Sequence, residues 1–182
     1  MRSLPLFVVL LAIACGPESR AEPEEPSEVL RLEGWPAFPQ IESTAVVRLL
    51  AIAEALPELP EADGPAWAGQ IFVPWMEQRQ QALAQAAELR RHARRGSSGD
   101  QAIAVALHGA ILQRTMDSLR GAHAERISPE AGEALQGPAA ALADKARRAY
   151  EVCHQLALDA GAALDGWRRS CDDHLARLPD DS

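Results

Sequence analysis

The sequence predicts an all-α fold, a bundle of four to five helices behind an N-terminal tether, and three observations carry that expectation. From about residue 41 onward, apolar side chains recur every three or four positions, the period of one helix face, and period-two strand patterning is hardly visible. The breaks in this pattern fall at short Pro, Gly and Ser clusters, which stop helices and turn the chain. About 168 residues follow the first 14, enough for one compact domain with a core of its own. The alternative all-α arrangement is a stack of tetratricopeptide-like helical hairpins. That architecture demands a recurring unit of about 34 residues, and the spacing of the breaks is uneven.

Residues 1–14 place Met1 and Arg2 before an apolar run from Leu4 to Ile13, with a small residue, Ala14, beside Cys15. This is the layout of an export signal. The run is too short to span a hydrocarbon core, which takes roughly 20 residues as a helix. The stretch Leu11, Ala12, Ile13, Ala14, Cys15 resembles the lipobox of bacterial lipoproteins, with Ala12 where Leu is usual. The resemblance implies that Cys15 is lipidated and becomes the first residue of the mature protein. It also implies a membrane contact through the N-terminal lipid and a place in the cell envelope. Gly16, standing where a retention signal carries Asp, implies the outer membrane, facing the periplasm or the cell surface. Residues 16–28, GPESRAEPEEPSE, are rich in Pro and Glu and lack large apolar side chains. Such a composition buries too little surface to offset the entropy of ordering, so residues 15–38 are expected to act as tether and connector. The helical domain is then 39–182.

Within that domain, Ile41, Ala45, Leu49, Ile52 and Leu56 make one apolar face, closed by Pro57 and Pro60. A second helix is expected from Pro74, a good first-turn residue, through Leu83 and Leu89 to Gly96. The loop GSSGD leads to a third helix with Asp100 as its cap. Ile103, Leu107 and Ile111 on one face, and Val105, Leu112, Met116 and Leu119 on the next, mark that helix as central and well covered. Ser128 and Pro129 start a short helix to about Leu135, and Gly137-Pro138 is expected to restart the pattern. Leu142, Ala146, Ala149, Cys153, Leu156 and Ala160 then form one stripe, and Leu164, Trp167, Cys171, Leu175 and Leu178 the last.

A net charge of −8 argues against nucleic acid as a partner. The chain has a single lysine, Lys145, beside 17 arginines. Once Cys15 is assigned to lipid, Cys153 and Cys171 remain as an even pair in an exported chain, where oxidation is favoured. Each lies about nine residues from the middle of the LDAGAAL turn, so folding back there brings them level. Cys153, His154, Cys171 and His174 formally offer two Cys and two His for Zn²⁺. However, side chains adjacent in sequence diverge by about 100° on a helix, so a disulfide and no metal or other cofactor is expected. Among the remaining histidines, His92, His108 and His123, only His108 sits among apolar neighbours, where an imidazole is either a tuned acid or base or an ordinary helix residue. Ser97 and Ser98 lack the GxSxG pattern and read as loop.

Two surfaces remain. Arg90, Arg91, Arg94 and Arg95 form the one dense basic patch. It reads as cations at a helix C-terminus, with an anion or partner patch as the alternative. Trp35, Phe38, Trp67, Phe72 and Trp75 concentrate the aromatic residues before the second helix. They read as a small core pinning connectors to the bundle, with a contact surface as the alternative. The functional expectation is a lipid-anchored envelope protein that serves as an interaction or structural module toward another envelope protein, without catalysis. A small-ligand or metal-binding envelope protein is the alternative.

Overall fold

The computed structural model describes residues 32, 34–38, 43–62 and 64–179. The export signal, Cys15 and the Pro/Glu-rich stretch lie outside the described residues. Among the described residues the fold is all-α: α1 (Thr44–Glu54), α2 (Val73–Ala93), α3 (Ser98–Gly121), α4 (Pro129–Asp159) and α5 (Asp165–Arg177). Their lengths of 11, 21, 24, 31 and 13 residues are those of an irregular bundle and not of equal hairpin repeats.

Helix α3 occupies the centre. Thirteen of its residues are buried, including six in succession from Ala102 to Leu107. A helix enclosed on all sides must be apolar all round, which is what its two apolar faces require. Helices α1, α2 and α4 pack directly on α3, and α5 is carried mainly by α4. On α4 the buried positions Ala139, Ala143, Ala146, Tyr150, Cys153 and Ala157 alternate in steps of four and three. That spacing makes a narrow seam of small side chains, and small side chains let two helix backbones approach closely. The tightest point is Gly109. A Cβ there would lie 2.6 Å from Tyr150 Cε1 and 2.9 Å from Cδ1. The fully buried Tyr150 ring therefore occupies the space that any other residue at position 109 would need.

Several boundaries differ from the sequence reading. Helix α3 is capped by Ser97, whose Oγ accepts from the Asp100 amide at 3.1 Å; Asp100 Oδ2 in turn accepts from the Ser97 amide at 3.3 Å. Asp100 is thus the third residue of a capping box, not the cap. The Gly137-Pro138 pair does not break the chain, and α4 runs through it. Pro strains a preceding helical residue mainly through that residue's Cβ, and Gly137 has none. Pro138 is exposed, so the carbonyl it leaves without an amide can meet water. The buried stripe also keeps its register across the pair, from Ala139 back to the half-buried Leu135. Upstream of Pro74 the helical path begins earlier than expected, as a π turn over Ala68–Phe72. A wider turn suits a proline, which has no N–H to return to the turn before it.

Cys153 and Cys171 are joined in a disulfide with Cα atoms 6.3 Å apart, tying α4 to α5 across a turn in which Gly161 adopts φ +79°. The bond closes an 18-residue separation, which contributes about 3 kcal/mol on the chain-entropy model.

The Gly109–Tyr150 contact generates a direct test. Gly109→Ala is expected to lower unfolding stability by about 1–2 kcal/mol, because overpacking costs roughly 1–3 kcal/mol and outweighs the helix propensity gained. Gly121→Ala, at the exposed end of the same helix with nothing within 4 Å of its Cβ, is expected to raise stability by about 0.5 kcal/mol. Denaturant melts of the two variants check both signs.

Candidate functional site

The five aromatics of the connectors separate into two groups. Trp35 stacks on His174 with ring centres 4.6 Å apart and lies 5.1 Å from Trp167, which Phe38 meets edge-on at 5.0 Å. Behind them Tyr150 Oη donates to Gln113 Oε1 at 2.7 Å, and His174 Nδ1 donates to the same oxygen at 2.9 Å. Burial, with Arg177 nearby, holds the His174 imidazole below its ordinary pKa. Trp67, Phe72 and Trp75 form the second group, with ring centres 5.2 and 6.3 Å apart in sequence. Trp67 packs in a small separate core with Ala62, Ala122 and Ala124. The indoles of Trp67 and Trp75 donate to Pro60 O at 3.0 Å and Pro57 O at 3.1 Å. Both groups pin connectors to the bundle.

The sequence reading passed over Arg79 and Arg114, which serve the C-terminal end of α1. Arg79 is buried, donates to the Pro57 carbonyl and lies over the Trp75 ring at 4.9 Å. Arg114 Nη1 donates to Ala53 O at 2.5 Å. The last carbonyls of a helix have no partner within it and carry partial negative charge; Arg114 satisfies one of them at Ala53, and Arg79 holds the Pro57 carbonyl just beyond the helix end. Desolvation, reinforced by Arg114, lowers the Arg79 pKa to about 10, which still leaves it charged at neutral pH. The legible signal was position: Arg79 stands four residues after Trp75 on the buried face of α2.

The cysteine–histidine grouping does not converge on a metal. The sulfurs are bonded to each other, His154 Nδ1 lies 2.6 Å from Asp172 Oδ1, and His174 belongs to the ring group. Among the described residues no cluster of His, Cys, Asp and Glu is arranged to hold a metal ion. His92 and His123 meet Glu88 at 3.1 Å and Glu125 at 3.3 Å on the surface.

The four arginines at the end of α2 also divide. Arg91 pairs with Glu88, and Arg94 and Arg95 are exposed just past the helix, which ends at Ala93 and not at Gly96. Arg90 alone turns inward, its Nη1 3.4 Å from His108 Nδ1. Both line a cleft of about 500 Å³ whose walls are α2, α3 and α4. Leu83, Ala87 and Arg90 share one face of α2, His108 and Leu112 are one turn apart on α3, and Leu142, Lys145, Ala149 and Val152 share one face of α4. The cleft exists because α2 and α4 both pack on α3 more than on each other. Arg90, Lys145 and Arg148 line it, and no carboxylate does. A guanidinium only donates, so His108 accepts at Nδ1 and carries its proton on Nε2, the neutral form. Burial, then Arg90 and Lys145, push its pKa down to about 4. Burial and Arg94 likewise hold the Arg90 guanidinium below its ordinary range.

A wider groove of about 1100 Å³ runs along the first half of α4. Its cations, Arg120, Arg147 and Arg148, face an equal number of acids, Glu125, Glu133 and Asp144, and Arg147 donates to Pro179 O at 2.5 Å. Its charge is balanced, whereas that of the smaller cleft is positive. Among the described residues no helix is long and apolar enough to cross a membrane. No known protein family, curated protein or solved structure matches the chain.

The His108 environment sets a pH dependence. The unfolded imidazole takes up a proton near pH 6.5, and the folded one only near 4. Between these values the unfolded state binds more protons, so stability rises with pH and is lost on acidification. His108 is expected to account for about 2 kcal/mol of destabilisation between about pH 7.5 and 5. His108→Gln removes that part and leaves the same-signed contribution of His174. Denaturant melts of both proteins at the two pH values, with an NMR titration of the His108 ring, check this. A ring midpoint near 6.5 contradicts it.

Proposed function

We propose that the chain is a lipid-anchored cell-envelope protein whose helical domain is a binding module without catalysis of its own. The division of the three cysteines carries this reading. Cys153 and Cys171 are bonded to each other, a state that persists in oxidising compartments outside the cytosol. Cys15 stands apart, behind an apolar run and Ala14, in the stretch that resembles a lipobox. Acyl chains on Cys15 tether the domain, since each buried CH₂ contributes about 0.8 kcal/mol and stable anchoring takes more than one chain. The Pro/Glu-rich residues 16–28 separate that anchor from the bundle.

The described clefts suit holding charge more than moving protons. In the smaller one a neutral imidazole lies against fixed cations, and in the larger one cations face carboxylates. The module is therefore assigned to recognition, with a soluble or membrane-borne envelope partner presented to it near the bilayer.

Mass spectrometry of the N-terminal peptide from membrane-extracted protein tests the anchor. Cys15 is expected as the first residue, carrying acyl chains. An unmodified Cys15, or a mature terminus elsewhere, contradicts the reading.

A further inference from the structure

We propose that the cleft between α2, α3 and α4 is a binding site for a small anionic amphiphile, a carboxylate or phosphate head group on an apolar chain. Its volume of about 500 Å³ lies within the range of roughly 300–1,000 Å³ usual for small-molecule sites. Its lining joins the two chemistries such a ligand needs. Arg90, Lys145 and Arg148 supply charge, and Leu83, Leu112 and Val152 supply apolar wall.

Three observations point to an anion as the occupant. The chain as a whole carries a charge of −8, yet this cleft gathers three cations, from two helices, with no acid among its lining residues. Lys145 and Arg148 are exposed and extend from α4 one turn apart, so both ammonium and guanidinium reach the mouth. Arg90 approaches from the facing helix, half-buried, with the His108 nitrogen as its hydrogen-bond neighbour. Like charges brought together in a partly desolvated space repel one another, and a bound anion relieves that repulsion through charge-assisted hydrogen bonds. The apolar part follows from Val152, a large side chain left about half exposed at the same cleft. Burying it against a hydrocarbon chain removes apolar surface from water. An inorganic anion makes no use of that wall. The site binds in this way whether or not Cys15 is acylated.

Lys145 is the sole lysine, so ¹³C-methylation of amines in the purified full chain yields one side-chain reporter at the cleft. Dodecanoate and dodecyl phosphate, each below its micellar concentration, are expected to shift that signal saturably; the tighter of the two identifies the head group. Inorganic phosphate is expected to act only at about hundredfold higher concentration, and dodecyltrimethylammonium not at all. Val152→Asp, a change at an exposed position that brings a carboxylate to the mouth, is expected to weaken binding at least tenfold with the circular dichroism spectrum unchanged. Arg90→Gln is expected to act in the same direction. The proposal is overturned by a Lys145 signal that neither amphiphile moves, by equal affinity in the Val152→Asp protein, or by inorganic phosphate binding as tightly as dodecyl phosphate.

Discussion

The fold depends on one close approach, the face of the Tyr150 ring against the backbone of Gly109. Without a side chain at 109, α4 settles onto α3 along a seam of alanines, and the ring fills the space at its middle. Position and polarity reinforce each other there. The Tyr150 hydroxyl must find a partner once buried, and Gln113, one turn along α3 from Gly109, supplies it. Burial and the nearby Asp117 carboxylate raise the phenol's pKa, so the group remains a neutral donor. The same glutamine oxygen holds His174 of α5, on which Trp35 stacks. A single contact therefore organises α3, α4, α5 and the connector before α1.

With α3 enclosed, every other element is placed by its attachment to it, and the surfaces follow from where those attachments leave gaps. Helices α2 and α4 lie on neighbouring sides of α3, and the cationic cleft is the space between them. Helix α1 is short; Arg114 of α3 meets its Ala53 carbonyl, and Arg79 of α2 meets the Pro57 carbonyl just after its end. Burying Arg79 is costly unless it is paired. Its compensation is the carbonyl of Pro57 and the face of Trp75, so this arginine holds the segment that follows α1 against α2.

What was legible in the sequence is what local periodicity records. The stripes of α3, α4 and α5 and the enclosed character of α3 follow from spacing along single helices, and the pairing of Cys153 with Cys171 from their equal distance to the turn between α4 and α5. Boundaries were less legible where two local rules compete. Pro138 reads as a breaker, but Gly137 before it removes the clash that makes proline a breaker, and tertiary burial of Ala139 and Ala143 decides the outcome. Ser97 and Asp100 are both good caps, and only their reciprocal hydrogen bonds assign the roles. The cleft was not legible at all. Its charges stand at 90, 145 and 148, on two helices that both pack on α3, and nothing local distinguishes the inward Arg90 from Arg91, Arg94 and Arg95. For Arg79 the position, four residues after Trp75, was legible, but its charge masks its membership of the buried face.

Native-state hydrogen exchange tests the primacy of the central helix most directly. Amides from Ile103 to Met116 of α3, together with those of α4 around Tyr150, are expected to exchange only through global unfolding and to share one opening free energy. The amides of α1 should open at lower cost, because that helix is short and lies on one side of α3. Exchange from α3 as fast as from α1, or a separate and lower opening energy for α3 than for α4, would contradict a fold built on the Gly109–Tyr150 seam.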